Sequence, residues 1–435
     1  MAECNVAVYG CGTVGGGVVS MLLGRRGALE ERIGGRVRLR YVVDLRLKEL
    51  AAELELPDSV VLTDDIEAPL RDPEVRVVVE LIGGLKAARD VIERALRAGK
   101  DVVTANKALL ADCGSELFAL ARSQGRSIAF EAAVAGGIPI ISALRDGLVG
   151  DSIQSVYGIV NGTCNYILTR MSEDGLSYDE ALAEAQQKGY AEADPTLDVD
   201  GHDTAHKLAV MARLAFGANA RAGDVACEGI RGIEPADLAY ADAMGYKVKL
   251  LATGIRRPEG VELRVHPALL DCHHPLASVG GAFNAVCVHG DCVGEVVLTG
   301  LGAGRWPTAS AVVADICRLA LGTYGADFAN LSQFGPIERA DVVPMAEVCM
   351  RYYFRLCCED RPGVLAQVAG ILGRHGISIS SVIQQEVGAT AGAHVSVVFM
   401  THKAQEGALQ GALEEINGLD CIQGGRTRML RVQEI

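Results

Sequence analysis

The chain has 435 residues, 49% of them hydrophobic and 22% charged, with a formal net charge of −14. That length exceeds one ordinary core and predicts roughly two to three domains of ordered globular composition. The acidic balance excludes nucleic acid or an anionic membrane as the main partner, because both call for a basic footprint.

Thirteen cysteines, an odd number scattered through apolar runs with no C-x-x-C, predict reduced thiols in a cytoplasmic protein. "CHH" at Cys272–His274 lacks partners at helical spacing and is not read as a zinc site. "MAECNVAVYGCG" has no basic and hydrophobic regions of a signal peptide. The most apolar long run, Ser127–Leu144, contains Glu131, Gly136, Gly137 and Pro139. It falls short of the ~20 apolar residues that a membrane span needs.

In chain order, Asn5–Tyr9 is a β-branched strand. Gly10, Gly12 and Gly15, with Thr13 and Val14 before the last, form G-x-G-x-x-G, and Val18, Val19, Leu22 and Leu23 continue at helical spacing. Such a turn needs Gly10 for its tightness, Gly12 for a close pyrophosphate and Gly15 for helix–strand packing. The phosphates then meet a helix N-terminus, whose free N–H groups favour anions. The second strand, Val37–Asp44, ends on a carboxylate suited to a ribose hydroxyl. Arg46 and Lys48 follow, suited to a 2′-phosphate or to a solvated helix face. Asp44 favours NAD and the two cations favour NADP.

Val75–Gly84 reads as a buried strand ending in a glycine turn. Ala87–Gly99 reads as a helix with Val91, Ile92, Ala95 and Leu96 on its apolar face. A strand ending near Thr104–Lys107, a helix Glu116–Gly125 and a strand Ser127–Val134 follow. This alternation predicts an α/β fold with a doubly wound, Rossmann-type parallel sheet. Its ligands bind outside the carboxyl ends of the strands. Gly83, Gly84, Asn106, Lys107 and Glu131 fall at those ends, where turn chemistry is the competing account.

"FEAAVAGGIPI" carries Glu131 into a glycine turn before a helix that Pro139 opens at its first position. Asn161–Leu168 reads as a loop entering a helix, with Cys164 as packing.

Lys188–Val210 then holds Glu192, Asp194, Asp198, Asp200 and Asp203. Asp200 is a good N-cap for a helix in which Asp203 falls near N3 and shares a face with Lys207. As a surface pair, Asp203 and Lys207 would contribute only ~0.2–0.5 kcal/mol. Three further carboxylates precede the helix, and "TANK" adds Lys107 as a second lysine. Two lysines beside carboxylates can hold one amine neutral by repulsion or clamp an oxyanion.

Strand-like runs continue to about residue 300 and predict an α+β domain. Gly300–Ile316 joins a glycine loop, with Gly302 and Gly304 suited to close phosphates, to a helix starting at Pro307–Thr308 that returns to the nucleotide domain. Asp327–Val348, with Gly-Pro and Val-Pro steps, reads as a linker. Strand, helix, strand over Arg351–Val387 and again over His394–Val432 give a ferredoxin-like βαββαβ order. Asp360 is expected to cap its first helix, with Pro362 in the first turn and Gly376 at the end.

The runs "GCGTVG", "ELIGG", "TANK", "EAAVAGGIPII", "GIVNGTCNYIL", "KGYAEADPTLDVDGHDTAHK" and "GLGAGRWPTASAVVADI" resemble homoserine dehydrogenase, in that family's order, over about residues 5–320. The tail resembles an ACT domain. The nucleotide-binding strand opens the chain, which predicts the monofunctional form without an aspartokinase module.

The expected domains are 1–135 with a returning helix at about 305–325 (NAD(P)-binding), 136–304 (substrate and dimerisation), a linker 326–350, and 351–435 (regulatory). The resemblance implies NAD(P)-dependent interconversion of L-homoserine and L-aspartate 4-semialdehyde. It implies Lys207 as general acid/base, oriented by Asp203, and Lys107 toward the substrate or nicotinamide. Glu192 and Asp198 would hold the substrate ammonium, with Gly189 and Tyr190 shaping the pocket. Cofactor contacts are expected from Gly10, Gly12, Thr13, Val14, Gly15, Asp44, Arg46, Gly83, Lys107 and Gly302.

The Glu131 carboxylate with the carbonyls of Val134, Gly136 and Ile138 would hold a monovalent cation, usually sodium; a Glu131-capped elbow is the alternative. Asp360, Gly376 and Ile377 mark the expected effector site, with threonine feedback, in a homodimer or homotetramer. The competing readings are another NAD(P)-dependent amino-acid dehydrogenase and a catalytically inactive amino-acid sensor.

Overall fold

Strands β1 (Glu3–Tyr9), β2 (Arg36–Val43), β3 (Val61–Thr63), β4 (Val75–Glu80), β5 (Asp101–Thr104) and β6 (Ile128–Ala129) lie side by side in the order β3-β2-β1-β4-β5-β6. Every pairing among them is parallel. This computed structural model describes residues 3–384 and 394–435, apart from the side chains of 424–426. The end of the last strand expected before residue 388 therefore lies outside the described residues.

Strands β1 and β4 are buried over most of their length, which is why "VAVY" and "VRVVV" are continuous apolar runs rather than alternating ones. The strand order reverses between β1 and β4, so a crevice for ligands opens at their carboxyl ends. The "GRRGALEERIGGR" stretch forms a helix of its own, Arg26–Ile33, ended by Gly34 at φ 61°. The strand expected over Ser127–Val134 keeps only two residues, and Glu131–Ala133 turns as a 3-10 helix.

The chain divides into two compact units. The first contains the parallel sheet, Asp203–Val225 and Phe283–Ala340. Here the helix Arg305–Leu321 returns to pack on Thr13–Gly24 so closely that a Cβ at Gly17 would lie 2.8 Å from the Arg305 carbonyl oxygen. It starts two residues earlier than Pro307, after Gly304 at φ 119°.

The first half of the expected linker is packed. Phe328 and Phe334 are buried in a ring cluster with Phe118 and Phe130. Arg213 stacks over Phe118 and donates through Nε to the Gln333 carbonyl at 2.7 Å. Each buried Phe is worth roughly 1.5–3 kcal/mol.

The second unit holds Tyr157–His202, Ala226–Ala282 and Asp341 onward. Tyr246–Arg257 and Gly260–Asp271 form a long antiparallel hairpin. Ala268 and Leu269 of the hairpin pair in parallel with Arg431 and Val432. The C-terminal strands lie in the order Ile422–Val432, Cys349–Glu359, His394–Thr401, Ile379–Gln384. Helices Val364–Arg374 and Glu406–Asn417 bury Val368, Leu372, Leu409, Leu413 and Ile416 against Tyr352, Phe354 and Phe399. The βαββαβ order is as expected, and Gly376 at φ 72° ends the first helix. The cap of that helix is Gly363, not Asp360, whose side chain instead accepts from Gln384 at 3.4 Å.

Candidate active site

At the end of β1, the three fingerprint glycines have unequal reasons to be glycine. Gly10 has φ 85°, and a Cβ there would lie 2.6 Å from the Leu81 carbonyl oxygen. A Cβ at Gly15 would lie 2.0 Å from the Gly10 carbonyl oxygen. The fold itself therefore demands both. Nothing lies within 4 Å of a Cβ at Gly12, at the start of the helix Thr13–Gly24. That open place fits a pyrophosphate on the helix N-terminus.

Beside the turn, the Cys11 N–H donates to Asp44 Oδ2 at 2.7 Å. Arg46 folds onto the same carboxylate through Nε (3.2 Å) and its backbone N–H (3.0 Å), and donates through Nη2 to the Cys11 carbonyl at 3.1 Å. Burial alone would raise the Asp44 carboxyl, but these bonds outweigh it and hold it at about 2. Glu80, buried at the end of β4, was not singled out from the sequence. Its carboxylate accepts from the N–H groups of Ile82 and Gly83 and from the Thr104 hydroxyl, which ties the ends of β4 and β5 together.

After β5, Asn106 caps the helix Lys107–Ser123 by accepting from the Leu109 N–H, and its amide donates to the Gly84 carbonyl at 2.6 Å. Lys107 is thus the first helical residue, where the helix dipole disfavours a cation. Its partner is Asp203, with Lys107 Nζ 3.1 Å from Oδ1. Lys207 Nζ donates to Oδ2 of the same carboxylate at 2.7 Å. One buried carboxylate therefore stands between two ammonium groups, both partly shielded from water. This arrangement can hold a proton donor on Lys207 beside a substrate oxygen.

The helix begins at His202, not at Asp200. Asp200 does not cap it; its carboxylate accepts from Arg231 Nε at 2.5 Å.

Glu131 receives the N–H groups of Ile141 and Ser142, each at 2.9 Å, and so caps the turn after Pro139. Pro139 precedes that short helix rather than opening it. The Glu131 N–H donates to Asp315 Oδ2 at 2.7 Å, a partner the sequence did not suggest. Burial, and then the neighbouring Glu131 charge, push Asp315 up to about 7. Burial likewise raises Glu131, against the hydrogen bonds from Ser142 and Ile141.

In the turn between, Ala135 at φ 54° and Gly136 at φ 50° are left-handed. Among the described residues, no backbone N–H donates to the carbonyls of Val134 or Gly136. Two carbonyls without a backbone donor, three and five residues after a buried carboxylate, are hard oxygen donors of the kind a monovalent cation takes. The Ile138 carbonyl is already accepting from the Ile140 N–H. A Cβ at Gly136 would meet the Gly302 carbonyl at 2.4 Å, and one at Gly302 would meet the Asn284 amide at 1.9 Å. Packing on Asn284 thus demands glycine at 302 whatever the cofactor requires.

In the second unit, Asn161 accepts from the Cys164 N–H as a helix cap while its amide donates to Asp198 Oδ1 at 2.7 Å. The buried thiol of Cys164 donates to the Asp198 carbonyl at 3.2 Å. Gly189 turns at φ 75°, and Tyr190 packs against Tyr166 with its carbonyl taking the Thr163 hydroxyl. Glu192 and Asp194 are exposed, and Asp194 accepts from the Thr196 N–H.

A cavity of about 340 Å³ is lined by Asp360, Pro362, Gly363, Gln384 and Val397 among others. Gly376 and Ile377, at the far end of the helix, do not line it. All thirteen cysteines are free. Among the described residues, no helix is long and apolar enough to cross a membrane.

A doubly wound sheet with a glycine turn at its switch point, and a lysine–carboxylate–lysine cluster by the end of β5, define an NAD(P)-dependent oxidoreductase. Profiles for homoserine dehydrogenase match residues 139–317, for its NAD-binding domain residues 10–131, and for the ACT domain residues 352–421. Homoserine dehydrogenase of Synechocystis is 42% identical over 96% of this chain and 97% of its own. The crystal structure of a homoserine dehydrogenase from Thiobacillus denitrificans has a TM-score of 0.92 at 40% identity, covering 99% of this chain and 98% of that one. A hyperthermophilic archaeal homoserine dehydrogenase mutant, in complex with NADPH, has a TM-score of 0.62 at 28% identity over 74% of this chain and 98% of its own. The chain belongs to the homoserine dehydrogenase family, with a C-terminal ACT domain and a nicotinamide dinucleotide as cofactor.

Proposed function

We propose that this chain interconverts L-homoserine and L-aspartate 4-semialdehyde, on the route to threonine, isoleucine and methionine. The observation that carries the site assignment is Asp203 held between Lys107 and Lys207. The nicotinamide ring, when bound, supplies or accepts the hydride. The chain's own part is to hold the amino acid and to manage one proton. Lys207 Nζ gives that proton to the substrate oxygen in reduction and takes it back in oxidation. Asp203 orients Lys207 and keeps charge balanced beside Lys107, which lies toward the substrate. Asp198, oriented by Asn161, and Glu192 hold the substrate ammonium, with Gly189 and Tyr190 forming the wall.

The cofactor would lie over Gly12, Thr13 and Val14, with Gly83 and Gly302 at its edges. We propose NADP(H) as the preferred form. Arg46 already neutralises Asp44, which removes the repulsion that carboxylate would offer a 2′-phosphate. A sodium ion is proposed on Glu131 and the carbonyls of Val134 and Gly136, with Ile138 as the weakest candidate. The chain acts in the cytoplasm as a homodimer or homotetramer, a reading that thirteen free thiols and the outer strand Ile379–Gln384 support. Threonine is the proposed effector, in the cavity beside Asp360.

The deciding assay is homoserine oxidation with NADP and with NAD. A folded protein inactive with both would overturn the proposal. Threonine at millimolar concentration that neither binds nor alters the rate would overturn the regulatory part alone.

A further inference from the structure

The acidic loop before the Asp203 helix does not hold its shape alone. A short segment of the second unit, Ala226–Arg231, runs along it. Ala226 and Cys227 pair with Arg264 and Val265 of the long hairpin, and the Glu228 N–H donates to the Val265 carbonyl at 2.8 Å. From this fixed edge three residues of the segment reach the loop. The Ile230 N–H donates to the Val199 carbonyl at 2.8 Å. The Cys227 thiol donates to the Asp200 carbonyl at 3.3 Å. Arg231 donates through Nε to Asp200 Oδ1 at 2.5 Å and through Nη2 to the Thr196 hydroxyl at 3.3 Å.

The approach leaves no slack. A Cβ at Gly229 would lie 2.1 Å from the Val199 carbonyl oxygen and 2.4 Å from Asp200 Cα. Gly229 has an ordinary negative or extended φ, so the approaching backbone, not its own conformation, is what demands glycine. The segment is also held by the ion pair of Glu228 with Arg431, at 2.6 Å, and the chain just after it by that of Glu234 with Arg355, also at 2.6 Å. Asp198 lies between these contacts and its own bonds from Asn161 and Cys164.

We infer that Ala226–Arg231 is a strap that sets the position of Asp198, with Gly229 and Arg231 as positioning residues for the amino-acid substrate. The inference rests on the reading of Asp198 as a ligand of the substrate ammonium. A charge-assisted contact depends steeply on placement, so a shift of about 1 Å in the loop weakens substrate capture without touching the hydride or proton donors. The strap therefore acts on the KM for homoserine and leaves kcat and the coenzyme KM alone.

The test is steady-state kinetics of Arg231→Ala, Arg231→Lys, Gly229→Ala and Asp198→Asn in the full chain, with folding checked by circular dichroism. Arg231→Ala is expected to raise the homoserine KM about five-fold, and Gly229→Ala more than ten-fold. Arg231→Lys should recover most of the loss, and the coenzyme KM should stay within about two-fold throughout. If Asp198→Asn raises the homoserine KM but folded Arg231→Ala and Gly229→Ala do not, the strap is wrong while the reading of Asp198 stands. If Asp198→Asn leaves that KM unchanged, the underlying reading fails and the strap with it. Equal rises in both KM values for Arg231→Ala would mark a general loosening and would also overturn the inference.

Discussion

The proton-handling cluster and the substrate loop use the same residue types in opposite surroundings. Asp203 is buried, sits at the start of a helix, and has each carboxylate oxygen committed to a different lysine. Glu192 and Asp194 are exposed on a loop, and Asp198 is half-buried, with its carboxylate accepting from the Asn161 amide. A group that moves a proton must be fixed relative to the reacting atoms. A group that captures an ammonium from water must first be reachable by it. The contrast predicts that damage to the first region appears in kcat, and damage to the second in the KM for homoserine.

The largest effect is expected from Lys207. Lys207→Ala should lower kcat by about 10²–10⁴-fold with the homoserine KM little changed, read in steady-state oxidation assays. Asp203→Asn comes next. It keeps the shape but leaves two ammonium groups facing a neutral amide, and kcat should fall about 10²-fold. Asp198→Asn should instead raise the homoserine KM about 10–100-fold, the size of one charge-assisted contact, with kcat within a few-fold. A loss of kcat in Asp198→Asn equal to that in Lys207→Ala would erase the distinction between the regions.

A smaller effect concerns pH. The Asp315 carboxyl is raised in the fold to about 7, so the native state binds its proton more tightly than the unfolded chain does. The Asp315 contribution to stability should therefore be greatest at acid pH and fall as pH rises from about 4 through 7. Asp315→Asn should flatten this fall, so its Tm relative to the parent rises between pH 5 and pH 8. A cation on Glu131 would counter the same charge. At pH 8 the parent Tm should then rise in sodium chloride more than in choline chloride, and equal rises would remove the sodium site. The smallest effect is on coenzyme choice, where Arg46→Ala should cut the NADP-to-NAD ratio of kcat/KM about ten-fold.

Local chemistry was legible in the sequence where one segment carries all of it. The glycine fingerprint, the i,i+4 pair Asp203–Lys207 and the βαββαβ tail are of this kind. Their causes lie within a few residues: a backbone that must come close, a shared helix face, an alternating apolar pattern. Contacts across the chain were less legible. Asp200 looked like a helix cap because capping is the local use of an aspartate, yet its partner, Arg231, is 31 residues away. Asp315 is a single carboxylate inside "ASAVVADI", and only the fold brings it to the N–H of Glu131, 184 residues earlier. Asn161–Leu168 read as a loop entering a helix, but the bond from the Asn161 amide to Asp198, 37 residues on, needs the fold, while its amide oxygen caps the helix at the Cys164 N–H. Phe328 and Phe334 lay in a stretch whose prolines suggested a linker, and only packing against Phe118 and Phe130 gives them a core role.

The central claim is that Lys207, oriented by Asp203, handles the proton of homoserine oxidation. It is tested most directly by kcat of Lys207→Ala at saturating homoserine and NADP, with and without an added primary amine. The loss expected is at least about 10²-fold, and the amine should partly restore the rate. A folded Lys207→Ala protein turning over within about two-fold of the parent would contradict it.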